Sequence, residues 1–227
     1  MTRLEPLTPR RLAVPQTATL PAGLLRRLGD IPPERVRLDP PPGTATEADL
    51  ILLDGQKPKC ELIDGTLVER AGGCPESYLT CEIIGELGVY LKANPVAFQG
   101  GSGYSVRVGP QQVRVADGVV VLWKAGEPRR VKRCIITDDV PAMIIEIPKP
   151  SNTKAEIARK LKEFFAAGTL VAWVVDWRTG TAEIYTSATD KVAVSRDGEL
   201  TAEAVLPGFA LPLAVLFAHG PDLDEPA

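Results

Sequence analysis

Two carboxylates stand where the surrounding sequence makes a carboxylate costly. Asp117 interrupts the apolar run Val113-Arg-Val-Ala-Asp-Gly-Val-Val-Val, and Glu146 lies inside Met143-Ile-Ile-Glu-Ile. A buried carboxylate needs a counter-charge or a metal to offset its lost hydration. Magnesium takes oxygen ligands, usually one or two carboxylates completed by water and substrate oxygens. A metal held there would polarise a phosphoryl oxygen and activate water, which is the chemistry of phosphodiester hydrolysis. The competing reading is a salt bridge from each acid to a nearby cation such as Arg114. Buried acids with perturbed titration cluster at functional sites, which favours the site reading for Glu146.

Such chemistry also needs a cation beside the attacking water, and helical geometry picks a candidate. In the run Thr153 to Ala167, Ile157, Leu161, Phe164 and Gly168 share one face at about 100° per residue. Lys160 lies within roughly 40° of Phe164 on that wheel, at the margin of the apolar stripe. Lys162 and Arg159 point away. The structural alternative for Lys160 is a stem laid over apolar surface with its ammonium in water.

Other catalysts are scarce. The chain has a single histidine, His219. That argues against Ser-His-Asp and Cys-His machinery, HEXXH metalloproteases and histidine-based nuclease sites. Cys60, Cys74, Cys81 and Cys134 lack the paired spacing of a zinc site and are expected as reduced thiols. The net charge of −3 is not the basic footprint of an avid nucleic-acid binder, although a local patch can serve. No apolar run reaches the roughly 20 residues of a membrane helix. The arginines after Pro9 are followed by no apolar stretch, so no secretory signal is expected, and a cytoplasmic location follows by default.

These residues need elements to position them. Residues 1–43 carry nine prolines and read as an extended arm with one helical turn around Leu24 to Leu28. The arm is free to wrap the domain, to contact a second subunit in a homodimer, or to stay unstructured. Residues 44–217 form the folded unit, and 218–227 a short tail. Thr44 or Thr46 caps a helix. Asp64-Gly65 between apolar runs marks a hairpin. Leu79, Ile83, Leu87 and Leu91 set a helix over residues 76–93, ended at Asn94-Pro95. Gly100-Gly-Ser-Gly103 reads as a turn before a strand in preference to a phosphate cradle. Strands follow at Tyr104–Val108, at Val113–Trp123 as one long or two short strands, and at Ala142–Ile147, apolar enough to be buried on both faces. After the helix over 153–167 come strands at Val171–Asp176 and Ala182–Thr186, a hairpin at Asp197-Gly198, and a terminal helix over Leu211–Phe217. This order predicts a mixed sheet flanked by helices, class α/β or α+β.

Several segments together carry a resemblance. Glu61-Leu-Ile-Asp-Gly-Thr-Leu-Val-Glu, Val113-Arg-Val-Ala-Asp, Ile145-Glu-Ile-Pro-Lys-Pro-Ser-Asn-Thr, Ala158-Arg-Lys-Leu-Lys-Glu-Phe-Phe-Ala-Ala-Gly, Ala172-Trp-Val-Val-Asp and Leu206-Pro-Gly-Phe-Ala-Leu-Pro-Leu occur in this order. The chain resembles the bacterial Uma-type "putative restriction endonuclease" family of the PD-(D/E)xK nucleases, from about Thr44 to Phe217. The resemblance implies a restriction-endonuclease-like core and a Mg2+-dependent (or Mn2+-dependent) endonuclease acting on DNA. The family's aspartate, glutamate and helix lysine fall on Asp117, Glu146 and Lys160. Its opening glutamate falls on Glu61, as an outer ligand of metal or water. Departures cluster at the loops. Ala116 replaces a proline, Gly118 a valine, and Pro148-Lys149 a Leu-Ser pair, while Ser77 stands where relatives often carry histidine. The altered loops and the acidic charge favour the alternative, a non-catalytic binding or assembly module on the same fold.

Overall fold

The computed structural model describes residues 20–55, 58–70 and 72–219. The N-terminal nineteen residues of the arm and the tail from residue 220 lie outside the described part.

Two sheets share the site. The first is five-stranded. It contains β1 (Cys60–Ile63), β2 (Thr66–Glu69), β4 (Ser105–Gly109), β5 (Gln112–Val115) and β7 (Ile136–Thr137), in the order β2-β1-β5-β4-β7. The turn between β1 and β2 is Asp64-Gly65, both at positive φ, as the sequence signals. The second sheet is six-stranded. It contains β3 (Ala97–Gly101), β6 (Gly118–Leu122), β8 (Met143–Glu146), β9 (Val171–Asp176), β10 (Thr181–Tyr185) and β11 (Lys191–Val194), in the order β11-β10-β9-β8-β6-β3. β8 and β9 are parallel and joined through the helix α4 (Lys154–Ala167).

Alternation along the central strands explains why this sheet is covered on both faces. Val120, Met143, Ile145, Val171, Trp173 and Val175 meet the long helix α3 (Cys74–Ala93) through Leu79, Ile83, Leu87 and Leu91. Val119, Val121, Ile144, Ala172 and Val174 face the other way, against Leu161 and Phe164 of α4. The period of two along a strand decides these faces. Glu146 follows Ile144 by two residues, so it projects toward α4, where Lys160 lies.

The arm packs against the first sheet from residue 20 onward. It contributes α1 (Ala22–Leu28) and a single 3-10 turn at Pro33–Arg35. Leu24, Leu28, Ile31 and Val36 bury themselves against Ile63 and Val68. A short helix α2 (Glu47–Leu52) follows, closed by a capping box in which Thr46 and Asp49 satisfy each other's backbone amides.

Two elements differ from the expectation. Gly100 and Gly101 lie inside strand β3, opposite Val119 and Gly118, and are not a loop. A Cβ on Gly100 would sit 3.0 Å from a Val119 methyl, so glycine there admits a close strand pairing. The terminal segment is also not one helix. Ala210–Pro212 form a strand, β13, paired with β12 (Glu199–Thr201), and only Leu213–Leu216 turn helical as α5. Pro212 cannot donate a helical hydrogen bond, so the turn begins after it. Among the described residues no helix is long and apolar enough to cross a membrane.

Candidate active site

The chain crosses from the first sheet to the second at Ala116-Asp117, between β5 and β6. Asp117 is stitched to β8 at this crossing. Its amide donates to the Ile145 carbonyl at 3.0 Å, and its Oδ2 accepts from the Ile147 amide at 2.9 Å. Gly118 is dictated by the same close approach. A Cβ there would lie 2.9 Å from Ile145 Cδ1 and 3.2 Å from Ile84 Cδ1. A larger residue there would require both isoleucine side chains to shift.

Glu146 ends β8, and the chain turns through Pro148 into α4. Thr153 caps α4 by accepting from the Glu156 amide at 2.9 Å. About two turns later Lys160 points back toward the sheet and is buried, while Lys162 is exposed. Lys160 Nζ donates to the Val115 carbonyl at 2.7 Å and lies 2.8 Å from Glu146 Oε1 and 3.1 Å from Glu61 Oε1. The structure therefore brings Asp117, Glu146, Lys160 and Glu61 to one place, at the junction of the two sheets.

Their surroundings differ. Glu61 has both oxygens engaged. Oε2 accepts from Arg114 Nη1 at 2.9 Å, and Oε1 accepts from the Val115 amide at 2.9 Å. Burial opposes its ionisation, but Lys160 and Arg114 outweigh burial and hold the carboxyl far below its ordinary range. Its contacts make Glu61 an anchor for Lys160. Arg114 is not the partner of Asp117 or Glu146. It bridges Glu61 to Glu163 of α4, 2.5 Å away.

Asp117 also stays below the ordinary aspartate value. Burial works against that, but Lys149, Lys160 and Arg70 prevail. Lys149 Nζ lies 2.7 Å from both Asp117 oxygens, and Arg70 Nη2 donates to Oδ1 at 3.0 Å. Glu146 behaves oppositely. Burial pushes its carboxyl up to about 7, and the nearby Asp117 charge adds to the rise. Its Oε1 has no hydrogen-bond partner of good geometry, so the 2.8 Å approach of Lys160 is an ion pair held off the hydrogen-bonding direction. Burial alone would lower Lys160, yet Glu146 and Glu61 raise it, so it remains an ammonium at neutral pH.

Sequence reasoning missed five participants. Lys149 and Arg70 hold Asp117. Arg35 of the arm makes a two-pronged ion pair with Glu156, at 2.9 and 2.7 Å, and Glu156 accepts from Asn152 at 2.8 Å. Asn152 Oδ1 in turn accepts from the Lys149 amide at 2.9 Å. Lys149 was visible as the residue just beyond the usual E-x-K position, and its place on the strand-to-helix turn is what aims it at Asp117. No local pattern marks Arg35, more than a hundred residues from Glu156 in the chain.

Asp117, Lys149, Arg70 and Lys59 line a groove of about 740 Å³ together with the first turns of α3, whereas Glu61, Glu146 and Lys160 line a hollow of about 20 Å³ that shares Arg70 and Lys149 with it. A divalent cation fits this donor set in kind. Two carboxylates are a normal protein share for magnesium, and Glu146 Oε1 is an acceptor short of a partner. Glu61, the third acid of the cluster, is taken up by Arg114 and the Val115 amide, and among the described residues no three acids, histidines or cysteines are grouped so as to hold an ion together. Lys149 now spans both Asp117 oxygens and must swing away to admit an ion. It lines the groove, which gives it room to do so.

Comparison with known proteins agrees with this architecture. The family model described as "Uma2: Putative restriction endonuclease" matches residues 46–214. A solved structure from Anabaena variabilis ATCC 29413, titled a "putative nuclease belonging to DUF820", superposes with a TM-score of 0.66 at 18% identity. The match covers 76% of this chain and 97% of that one, and it establishes a shared restriction-endonuclease-like fold. No curated protein matches the chain.

Proposed function

The chain belongs to the Uma2 family of restriction-endonuclease-like proteins, and on that premise we propose that it is a nuclease, a magnesium-dependent endonuclease that hydrolyses DNA phosphodiester bonds. The observation that supports this reading is the convergence of Asp117, Glu146 and Lys160, with Asp117 on the wall of an open groove that also carries lysine and arginine, and Glu146 and Lys160 buried around a small hollow that shares Arg70 and Lys149 with it. Asp117 and Glu146 would hold the ion, with manganese as a substitute. Bound there, such an ion supplies Lewis-acid polarisation of the phosphate and a more acidic water.

The chain's own residues do the rest. Lys160 is fixed by the Val115 carbonyl and by Glu61, so its ammonium points at one place and orients water or offsets charge there. Its raised affinity for the proton makes it a donor and a cation, not a base. Hydrolysis forms a bond from water oxygen to phosphorus and breaks the bond to the leaving sugar oxygen, which takes up a proton. Lys149 and Arg70, which face the groove, would receive the phosphate oxygens. Without an ion, burial favours the protonated form of Glu146, and binding the ion would release that proton and leave the residue a carboxylate ligand.

One observation favours a second reading, a non-catalytic binding module. Lys149 already neutralises Asp117 through both oxygens, leaving one acid of the pair without need of a metal. The discriminating experiment is cleavage of DNA and RNA substrates in magnesium or manganese, by the natural protein and by Asp117→Ala. Cleavage lost in the variant supports the nuclease. Absence of cleavage by the natural protein, with both metals and both nucleic acids, selects the binding module.

A further inference from the structure

The acidic chain concentrates positive charge in one exposed loop. Between β6 and β7, residues 124–134 read Lys-Ala-Gly-Glu-Pro-Arg-Arg-Val-Lys-Arg-Cys, five cations against the single acid Glu127. All eleven are exposed. Lys124 and Lys132 both contact Asp139, at 2.8 Å, and so neutralise the carboxylate at the base of the loop. Arg129, Arg130 and Arg133 stand outside that cluster.

Three neighbouring hollows that share lining residues lead from the active site to the loop. The 740 Å³ groove beside Asp117 shares Lys59 and Ser102 with a second hollow of about 210 Å³. That one shares Gly103, Ser105, Cys134 and Ile135 with a third, of about 110 Å³, which reaches Arg130 and Lys132. Lysine and arginine recur along the whole path: Lys149 and Arg70 at the site, Lys59 at the first junction, Arg130 and Lys132 at the far end. Four carboxylates line it as well. Asp117 and Asp139 are each held by two cations, Glu76 accepts from the Trp177 indole at the α3 side of the groove, and Asp54 lines the middle hollow.

We infer that this track carries the DNA backbone away from the bond to be cut, with the 124–134 loop gripping phosphates on the flank. The inference rests on the nuclease reading for its occupant. A polyanion of regular charge spacing is what a line of separated cations fits, and phosphate contacts fix register without reading sequence. Charge drawn to one strip also lets a chain of net −3 hold a nucleic acid.

The test is binding of a short fluorescein-labelled DNA duplex by the full chain, measured by anisotropy in EDTA across a salt series. The variant is R129A/R130A/R133A, which leaves Lys124, Lys132 and Asp139 untouched, and its melting temperature should match the natural protein. In parallel, both proteins are assayed with manganese on bis(4-nitrophenyl) phosphate, a diester too small to reach the loop. The variant should bind the duplex more than tenfold more weakly at low salt. Its plot of log affinity against log salt should be shallower by up to roughly 2.7, at about 0.9 for each phosphate no longer neutralised. Small-diester hydrolysis should be equal. Equal duplex affinity and equal slope would overturn the track while leaving the nuclease reading intact, as would failure of the natural protein to bind duplex at all. Weakened duplex binding without any small-diester hydrolysis would keep the track and remove the nuclease. Weakening of equal size toward phosphatidylserine vesicles, bound by the natural protein as tightly as duplex, would overturn the assignment to nucleic acid.

Discussion

Replacing Glu146 by glutamine removes a charge that the folded chain holds at a disadvantage. In the unfolded chain this carboxyl titrates near 4.5, and burial beside Asp117 pushes it up to about 7 in the fold. The folded state therefore keeps a proton that the unfolded state has lost, and stability falls as pH rises through that window. Below pH 4.5 the two states hold the same proton and the residue contributes no difference. Above pH 7 the full penalty applies. At about 1.4 kcal/mol for each pH unit, the interval amounts to about 3 kcal/mol. Glutamine has the same shape and no such penalty, and the attraction of Lys160 is already contained in the net value. In metal-free buffer with EDTA, Glu146→Gln should match the natural protein near pH 4 and exceed it by about 3 kcal/mol at pH 8 to 9. For a chain of this size that is a rise of roughly 6–12 °C in Tm. Urea or thermal unfolding from pH 4 to 9 reads the difference, and groups common to both proteins cancel. A gap that stays constant with pH, or a variant less stable at pH 8, would show that Glu146 is not held protonated by its surroundings.

Other outcomes follow from the same contacts. Lys149→Met should bind manganese at least tenfold more tightly by calorimetry, because the ammonium across both Asp117 oxygens no longer competes; unchanged or weaker binding would show that Lys149 does not occupy the ion's place. Lys160→Met should destabilise the fold by about 3 kcal/mol or more in denaturant titrations, since it leaves the buried Glu61 and Glu146 short of a counter-charge. A cost below 1 kcal/mol would contradict the ion-pair network. Arg35→Ala should cost about 3–5 kcal/mol by leaving Glu156 buried and unpaired, and Arg35→Met combined with Glu156→Met should cost less than the single change. The reverse order would refute the pair.

The parts legible in the sequence were those set by local periodicity. Leu79, Ile83, Leu87 and Leu91 wrote their helix plainly, and the wheel around Phe164 separated buried Lys160 from exposed Lys162. Asp64-Gly65 gave its turn because only certain residues accept positive φ. Gly100 and Gly101 misled because glycine usually breaks a strand; the close partner Val119 explains Gly100, and nothing in the packing explains Gly101. Asp117 and Glu146 could be singled out as acids in apolar runs, but not their counter-ions. Arg70, Lys149 and Arg35 reach their acidic partners through tertiary folding, over separations no local pattern encodes. The resemblance supplied the order of motifs, and at Gly118, where the chain departs from it, the ends of Ile145 and Ile84 close over the glycine.

The Arg35–Glu156 pair has a practical consequence for where the molecule can be cut. The family match begins at residue 46, so trimming an expression clone to that boundary looks natural. Such a trim would discard Arg35 and with it the only guanidinium clasping Glu156, among the described residues. It would also strip Leu28, Ile31 and Val36 from Ile63 and Val68, baring an oily patch on the outer strands. The shortened product would tend to clump, and the loosened Asn152 would no longer steady the turn that carries Lys149. A boundary inherited from shared ancestry is thus not the boundary at which this polypeptide holds itself together.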